Sequence, residues 1–121
     1  MRFENMSVIE RFLHAVENKD EETLNELIHD DYKFIPHIKG MNFGKSDMVS
    51  ICMSDYFTRN QSRIIYENEE IAIDHAFVTF ANDSTPEAVL SVHSISEGKI
   101  VSTETGATPL ADDYSMIGTD E

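Results

Sequence analysis

The spacing of apolar residues changes once along this chain, near residue 62, and this change limits the fold. Before that point apolar side chains recur at helical intervals, and after it they recur at every second residue. The first spacing is typical of helices and the second of strands that bury one face. Helices that precede strands in the sequence indicate an α+β architecture, with the helices packed on one face of a curved antiparallel sheet.

Two short helices are predicted at the start of the chain. Ser7 and Glu10 match the Ser-x-x-Glu capping box, which opens a helix over 8–18. Asp20 can cap a second helix that follows almost directly. The short connection suggests that the two helices form an angled pair.

A third predicted helix is separated from the first two by a short strand. The strand runs from Tyr32 to Ile35 and ends at Pro36, because proline cannot continue a strand ladder. The third helix begins at Ser46 or Asp47. Its wide apolar stripe indicates that much of its surface is covered, and it comprises Met48, Val49, Ile51, Cys52, Met53, Tyr56 and Phe57.

The second half of the chain is predicted to consist of strands. A long strand carries Ile64, Tyr66, Ile71 and Ile73, with a bulge near Asn68. Turns are expected at Asp74-His75, in the segment 82–86 and at Glu97-Gly98. The strands between and after these turns are predicted over 76–82, 87–96 and 99–105.

Chain length and net charge limit the number of domains and the classes of partner. A chain of 121 residues is one domain in size, and we assign 1–110 to the domain and 111–121 to an acidic C-terminal tail. Nine basic residues against 23 acidic ones give a net charge of −14, which repels phosphate backbones and anionic membranes. Neither nucleic acid nor a membrane is therefore an expected partner.

The compartment is predicted from the cysteine count and the N-terminus. Cys52 is the one cysteine, so an intrachain disulfide is impossible, which fits a reducing cytoplasm. The first residues are interrupted by Glu4 and Glu10 and do not read as a signal peptide. We therefore expect a cytoplasmic protein.

The order of these segments resembles the nuclear transport factor 2-like superfamily, and within it the SnoaL-like, polyketide cyclase-like branch. The resemblance spans about 6–108 and depends on the order and spacing of several short motifs. Those motifs are Val8-Ile9-Glu10-Arg11-Phe12, Asn18-Lys19-Asp20, His29-Asp30-Asp31-Tyr32, Gly44-Lys45-Ser46-Asp47-Met48 and Glu97-Gly98-Lys99-Ile100-Val101.

The resemblance implies a cone, in which a strongly bent sheet wraps around three N-terminal helices and leaves an apolar pocket at its open end. It also implies a homodimer formed through the outer sheet face. Members of the superfamily include isomerases, cyclases, epoxide hydrolases and proteins that only bind or dimerise. Fold alone therefore does not decide the activity.

The catalytic groups of ketosteroid isomerase are missing from the matching positions. The family's donor tyrosine matches Phe12, its base matches Pro36, and its buried aspartate matches Val92. None of these side chains can donate or accept a proton. Steroid isomerisation by that set of residues is therefore not expected.

The acid of SnoaL-type cyclases falls near the end of the last strand. The matching position is Thr105, with Glu104 beside it. Alternation along a strand places Thr103 and Thr105 on one face and Glu104 on the other. Glu104 would face the pocket only if the register slipped by one residue.

Two candidate acid–base residues are predicted from side-chain chemistry and position rather than from the family resemblance. His37 lies near the expected pocket mouth and could act as a base, or could be an exposed loop histidine. Tyr56 could donate a proton into the cavity, or could be a packed core tyrosine. His93 is expected on the outer sheet face. No spacing predicts a metal site, and no cofactor is expected.

Two functions are carried forward from the sequence. The first is a pocket for a small apolar or aromatic molecule, which the chain binds or transforms by cofactor-free acid–base chemistry with His37 and Tyr56. The second is a non-catalytic homodimeric interaction module with a fully packed cone. The residues expected to line the pocket are Phe12, Phe34, Cys52, Val92, Ser94, Thr103 and Thr105.

Overall fold

Three helices and five strands form the fold. The computed structural model describes residues 6–38, 40 and 42–110. The predicted acidic tail, 111–121, lies outside the described residues. In chain order the elements are α1 (Val8–Asn18), α2 (Glu21–Leu27), β1 (Ile28–Ile35), α3 (Lys45–Met53), β2 (Phe57–Glu67), β3 (Ile71–Phe80), β4 (Glu87–Ser96) and β5 (Lys99–Pro109).

The five strands form one sheet in the order β1-β5-β4-β3-β2, which is open at both edges. The last four strands form an antiparallel meander, as predicted. Strand β1 instead lies parallel to β5, so the sheet is mixed rather than wholly antiparallel. The predicted α+β class, with helices before a bent, cone-like sheet, is confirmed.

Local side-chain chemistry sets the first two helices, as the sequence predicted. Ser7 Oγ accepts from the Glu10 backbone N–H at 3.2 Å, and Glu10 Oε1 accepts from the Ser7 N–H at 2.9 Å. Lys19 ends α1 in the left-handed region with φ 53°. Asp20 Oδ1 then caps α2 by accepting from the Thr23 N–H at 3.2 Å. The caps supply partners for the free N–H groups at each helix start.

The third helix begins and ends earlier than predicted. Its N-cap is Gly44 rather than Ser46 or Asp47, and the Asp47 side chain accepts from the Gly44 N–H at 3.1 Å. The helix ends at Met53, where the Ser54 hydroxyl and backbone N–H both donate to the Ile51 carbonyl. Tyr56 is therefore off the helix and half exposed, and Phe57 opens β2. The prediction failed because a serine that bonds its own backbone competes with the helix, and apolar spacing does not register this competition.

The predicted long strand through Ile64 and Ile73 is two strands joined by a tight turn. Asn68 Oδ1 accepts from the backbone N–H groups of Glu70 and Ile71 at 2.8 Å each, which turns the chain between β2 and β3. The predicted turn at Asp74-His75 is wrong, because β3 runs straight through both residues. The turn at Glu97-Gly98 is confirmed, with positive φ at both residues.

The two faces of the sheet differ in what covers them. On β3, Ala72, Asp74, Ala76 and Val78 are buried and alternate with half-buried residues. The buried set faces the helices, and we call this side the inner face. The helices and the inner face share one core of Ile9, Phe12, Ala15, Leu24, Leu27, Ile28, Tyr32, Met48, Val49, Cys52, Ala72, Ile95 and Ile100.

Candidate functional site

A chain of polar side chains crosses the inner face, with one residue from each strand. In the spatial order of the strands, these residues are Arg59 on β2, Asp74 on β3, His93 on β4, Thr103 on β5 and Tyr32 on β1. We call this set the polar relay. Asp74, His93, Thr103 and Tyr32 are each at most 5% exposed. Buried polar groups are stable only when they are hydrogen-bonded, and each relay member bonds its neighbour.

The centre of the relay is formed by three side chains. His93 Nε2 lies 2.6 Å from Asp74 Oδ2, and His93 Nδ1 lies 2.8 Å from Thr103 Oγ1. The Phe12 ring packs against the imidazole with a centroid distance of 5.8 Å. Both ring nitrogens are thus occupied, and the imidazole orientation is held from three sides.

Arg59 joins the relay at its β2 end. Arg59 Nη2 donates to Asp74 Oδ1 at 2.6 Å. Burial by itself would raise the pKa of Asp74. The His93 hydrogen bond and the Arg59 charge outweigh burial, however, and hold the pKa of that carboxyl below its usual value. Asp74 is therefore a carboxylate at neutral pH, and it orients both basic neighbours.

Tyr32 closes the relay at its β1 end by hydrogen-bonding Thr103, while burial raises the pKa of its hydroxyl. When the His93 imidazole is neutral, one direction of hydrogen bonding along the relay gives each of these polar atoms a partner. The Tyr32 hydroxyl donates to Thr103 Oγ1, the Thr103 hydroxyl donates to His93 Nδ1, and His93 Nε2 donates to Asp74.

A groove of about 540 Å³ opens beside the Arg59 end of the relay. The end of α1, the end of α3 and the start of β2 form its walls. A bulge at Gln61, where φ is 54° and the β2–β3 register shifts, shapes one side. Its lining comprises Leu13, Val16, Glu17, Lys19, Cys52, Asp55, Phe57, Thr58, Arg59, Gln61 and Ser62.

The groove contains one thiol and two cations. Burial raises the pKa of the Cys52 thiol to about 11, although the charges of Arg59 and Lys19 oppose the rise. Cys52 therefore stays protonated at neutral pH and contributes an apolar surface rather than a nucleophile. Lys19 Nζ lies 3.4 Å from Asp55 Oδ1 and donates to the Ser54 carbonyl at 2.6 Å.

A second cavity of about 590 Å³ lies at the opposite end of the inner face. The start of α1 and the two tight turns surround it. Its charged side chains are Glu67, Glu69 and Glu97, and no relay residue borders it. The groove at Arg59 is therefore the better candidate site, because it alone of the two reaches the relay.

His37 lies away from this groove. His37 Nε2 is 3.1 Å from Glu87 Oε1, and His37 Nδ1 is 2.9 Å from Thr105 Oγ1. These contacts connect the loop after β1 to the start of β4 and the end of β5. His37 and Thr105 thus lie together, but neither borders the groove.

The other predicted lining residues are divided between several places. Cys52 lines the groove, and Phe12 and Thr103 lie deeper, against His93. Phe34 stacks on Phe43 with a centroid distance of 5.6 Å. Tyr56 packs on Phe80 and accepts from Asn82, next to edge strand β2, whereas His37 follows the other edge strand, β1. His37 and Tyr56 share no contact.

Three predicted residues lie on the outer face. Val92 pairs with Glu104 and Ser94 pairs with Ser102, in the positions between the buried residues of β4. The β4–β5 register shift falls before Glu104, which keeps its place opposite Val92. The slip that would bring Glu104 inward is absent from this pair of strands.

Sequence reasoning missed most of the relay. His93 was expected on the outer face and is instead 2% exposed on the inner face. Asp74 was assigned to a turn, and Arg59 was not among the predicted site residues. The alternation of Ile71, Ile73, His75 and Phe77 with smaller residues continues through Asp74, and this signal could have placed the carboxylate inside a strand.

Two searches of the described residues give negative results. Within 6–38, 40 and 42–110, no group of three His, Cys, Asp or Glu residues is arranged to hold a metal ion. None of the helices in this part of the chain is long and apolar enough to cross a membrane.

Solved structures show which class of fold this is. No protein-family model matches the sequence, and no curated protein matches it. The architecture is that of nuclear transport factor 2-like proteins, as the resemblance predicted.

Three structures illustrate the similarity. A nuclear transport factor 2-like protein of unknown function from Cytophaga hutchinsonii has a TM-score of 0.68 and 12% identity, over 84% of this chain and 88% of that one. A candidate ketosteroid isomerase from Kribbella flavida has a TM-score of 0.69 and 10% identity, over 90% and 81%. A candidate polyketide cyclase from Sinorhizobium meliloti has a TM-score of 0.66 and 13% identity, over 88% and 100%. The structural similarity establishes the fold, and sequence identity this low leaves the activity open.

Proposed function

We propose that this chain is a SnoaL-like small-molecule-binding protein, whose ligand is a small apolar or aromatic molecule held in the groove beside Arg59. The observation that carries the proposal is the groove itself, about 540 Å³ between α1, α3 and β2. Volumes of this order are typical of sites for small organic molecules.

The lining of the groove combines an apolar wall with polar and charged side chains. Leu13, Val16 and Phe57 contribute apolar walls, and the protonated Cys52 thiol adds a further apolar surface. Arg59 is held by Asp74 and gives the groove a fixed polar point. Sites for small organic molecules combine apolar walls with a few placed polar groups. This groove has both, because Thr58, Gln61 and Ser62 line it beside Arg59.

The proposal is for binding rather than catalysis. His37 and Tyr56, the acid–base pair considered from the sequence, lie next to opposite edge strands of the sheet and do not border the groove. Acid–base chemistry requires its groups within hydrogen-bond reach of one reacting molecule. The groove therefore supports a binder with no catalytic pair assigned to it.

Two matched valines on α1 test the location. Val16 lines the groove and Val8 lines the cavity at the opposite end, and both are half buried. With naphthalene-2-carboxamide as a neutral probe, Val16→Phe should weaken binding measured by calorimetry at least about tenfold, because the ring fills the groove. Val8→Phe should leave the affinity unchanged. The reverse result, with Val8→Phe weakening the binding and Val16→Phe leaving it unchanged, would refute this location of the site.

A second function, a homodimer through the outer face, is favoured by a separate observation. The outer face carries half-buried or exposed Ile71, Ile73, Phe77, Leu90 and Val92, which no helix of the described chain covers. His75 Nδ1 on this face is buried and has no hydrogen-bond partner among the described residues. Contiguous apolar surface of this kind marks an interaction site.

Charge at the two margins of this face indicates a second copy as the occupant. Arg63 on β2 and Glu104 on β5 lie on opposite sides of the apolar strip. A twofold axis between β3 and β4 would bring Arg63 of one copy against Glu104 of the other. The patch is therefore complementary to itself in charge as well as in hydrophobicity.

Charge exchange tests the dimer. Sedimentation equilibrium should give twice 13.8 kDa for the wild type at micromolar concentration. Arg63→Glu and Glu104→Arg should each weaken the dimer about tenfold, because each creates like-charge pairs, and the double variant should restore it. A single 13.8 kDa species in the wild type would refute the dimer.

A further inference from the structure

Arg59 connects the groove to the buried relay. Its side chain is one-fifth exposed, and the guanidinium contacts the Asp74 carboxylate, which is fully buried. Two hydrogen bonds from Nη2 are present, to Asp74 Oδ1 at 2.6 Å and to Ser62 Oγ at 3.4 Å. The side chain is therefore fixed in direction at the inner wall of the groove, without being sealed from it.

The guanidinium keeps donors that the protein does not use. It carries N–H groups on Nε and Nη1 as well as on Nη2. Among the residues that the structure describes, neither Nε nor Nη1 of Arg59 has a hydrogen-bond partner, and neither is an unpaired buried atom. These donors are thus accessible to solvent, and Arg59 is a lining residue of the groove.

The surroundings favour an anionic oxygen over a neutral group at this point. Lys19 and Asp55 of the same lining are paired at 3.4 Å and offset each other's charge. Glu17 is an exposed residue of the lining, so Arg59 is the cation that an anionic oxygen in the groove would reach. Hydrogen bonds from a charged donor to a charged acceptor are roughly twice as strong as neutral ones. A pre-oriented guanidinium also loses little side-chain entropy on binding.

We propose that the groove takes a small aromatic or apolar acid, whose carboxylate or related anionic oxygen accepts hydrogen bonds from Nε and Nη1 of Arg59. The inference rests on the proposed function, and it adds the class of ligand. The apolar body of the ligand lies against Leu13, Val16 and Phe57, and its anionic end points toward the relay.

A matched pair of probes tests the ligand class. 2-Naphthoate and naphthalene-2-carboxamide have nearly the same shape and differ in charge. Calorimetry at fixed salt should show the wild-type chain binding the carboxylate at least about tenfold more tightly than the amide. Arg59→Gln should remove this difference. Lys33→Gln, which removes an exposed cation on β1 outside the groove lining, should preserve it.

A spectroscopic readout keeps the test independent of how well Arg59→Gln folds, since that change leaves Asp74 without its cation. In the wild-type chain, the Arg59 Nε–H resonance should shift on addition of 2-naphthoate, and should shift much less on addition of the amide. This measurement needs no variant except Arg59→Lys to assign the signal.

The outcomes separate the two proposals. Equal affinity for the two probes would overturn the anionic ligand and leave the groove as an apolar binding site. A preference for the carboxylate that survives Arg59→Gln, with an unmoved Arg59 resonance, would also overturn it. Binding of neither probe would overturn the proposed function together with this inference.

Discussion

Asp74 and His93 face each other across strands β3 and β4, with Oδ2 and Nε2 2.6 Å apart and both side chains almost completely buried. Each residue is stable in the core because of the other, since an isolated buried carboxylate would be strongly unfavourable. Arg59 on one side and Thr103 on the other satisfy the remaining polar atoms. The pair therefore anchors the relay that spans all five strands.

Removing the Asp74 charge should destabilise the fold strongly. In Asp74→Asn, the Arg59 charge loses its partner and His93 loses its anionic acceptor. Breaking a buried ion pair in this way costs about 3–5 kcal/mol. Urea unfolding followed by circular dichroism should show this loss. Asp83→Asn in an exposed turn is the matched control and should change stability by less than about 0.5 kcal/mol. A loss below about 1 kcal/mol in Asp74→Asn would contradict the relay.

The contribution of Asp74 should depend on pH in a defined direction. Its pKa in the folded chain is below the ordinary value of 3.8, so the stabilisation is complete above that value and is lost as the pH falls through the folded pKa. The difference in unfolding free energy between wild type and Asp74→Asn should therefore narrow as the pH falls from about 5 to about 3.

Comparing the wild type with Asp74→Asn at each pH cancels the contribution of other carboxyl groups to the unfolding free energy. Asp20 and Asp30 also have lowered pKa values, from hydrogen bonds with Thr23 and Lys45, but they are present in both proteins. Urea titrations at three pH values are sufficient. A difference that widens on acidification would reverse the assigned sign.

Thr103 should matter more to stability than Tyr32, because it bonds on both sides. Thr103→Val leaves His93 Nδ1 and the Tyr32 hydroxyl without partners, at a cost of about 1–3 kcal/mol for each stranded group. Tyr32→Phe removes only the last hydroxyl, at about 0.5–1.5 kcal/mol.

The double variant tests whether the relay is continuous. Because Tyr32→Phe removes a group that Thr103→Val would strand, the combined loss should be smaller than the sum of the single losses. Chemical denaturation of the four proteins measures this coupling. Strict additivity would show that Tyr32 and Thr103 act separately.

Cys52 should be almost unreactive in the folded chain. With a thiol pKa of about 11 and 4% exposure, its thiolate is scarce at neutral pH and is shielded by α3 and the groove walls. Labelling with a disulfide reagent should be at least about 100-fold slower than in guanidinium chloride, and should accelerate with pH up to about 9. No other cysteine contributes to the signal. Rapid labelling of the native chain would contradict the burial of this thiol.

Elements with local signals were predictable from the sequence. The capping box at Ser7 and Glu10, the cap at Asp20 and the turn at Glu97-Gly98 each depend on residues within a few positions of one another. These contacts form whatever surrounds them, so their sequence patterns were sufficient. The nuclear transport factor 2-like fold followed from their order.

The candidate site was predicted poorly, for the opposite reason. A charged residue such as Asp74 resembles a turn residue until Arg59 and His93 are known to reach it. His93 was placed on the wrong face because a histidine suits either face by itself. Cys52, Phe12 and Thr103 lie at or near the relay, whereas His37 and Tyr56 do not.

Short-range chemistry in the sequence alone determined the first two helices, the Glu97-Gly98 turn, the extent of β4 and the α+β class. The polar relay could be identified only from the tertiary structure. Its five members come from five different strands, and sheet order and register bring them together. The orientation of the Arg59 guanidinium is likewise determined by the tertiary structure. A guanidinium becomes an oriented donor at a groove only after a distant carboxylate has fixed it, and that distance is a property of the folded chain.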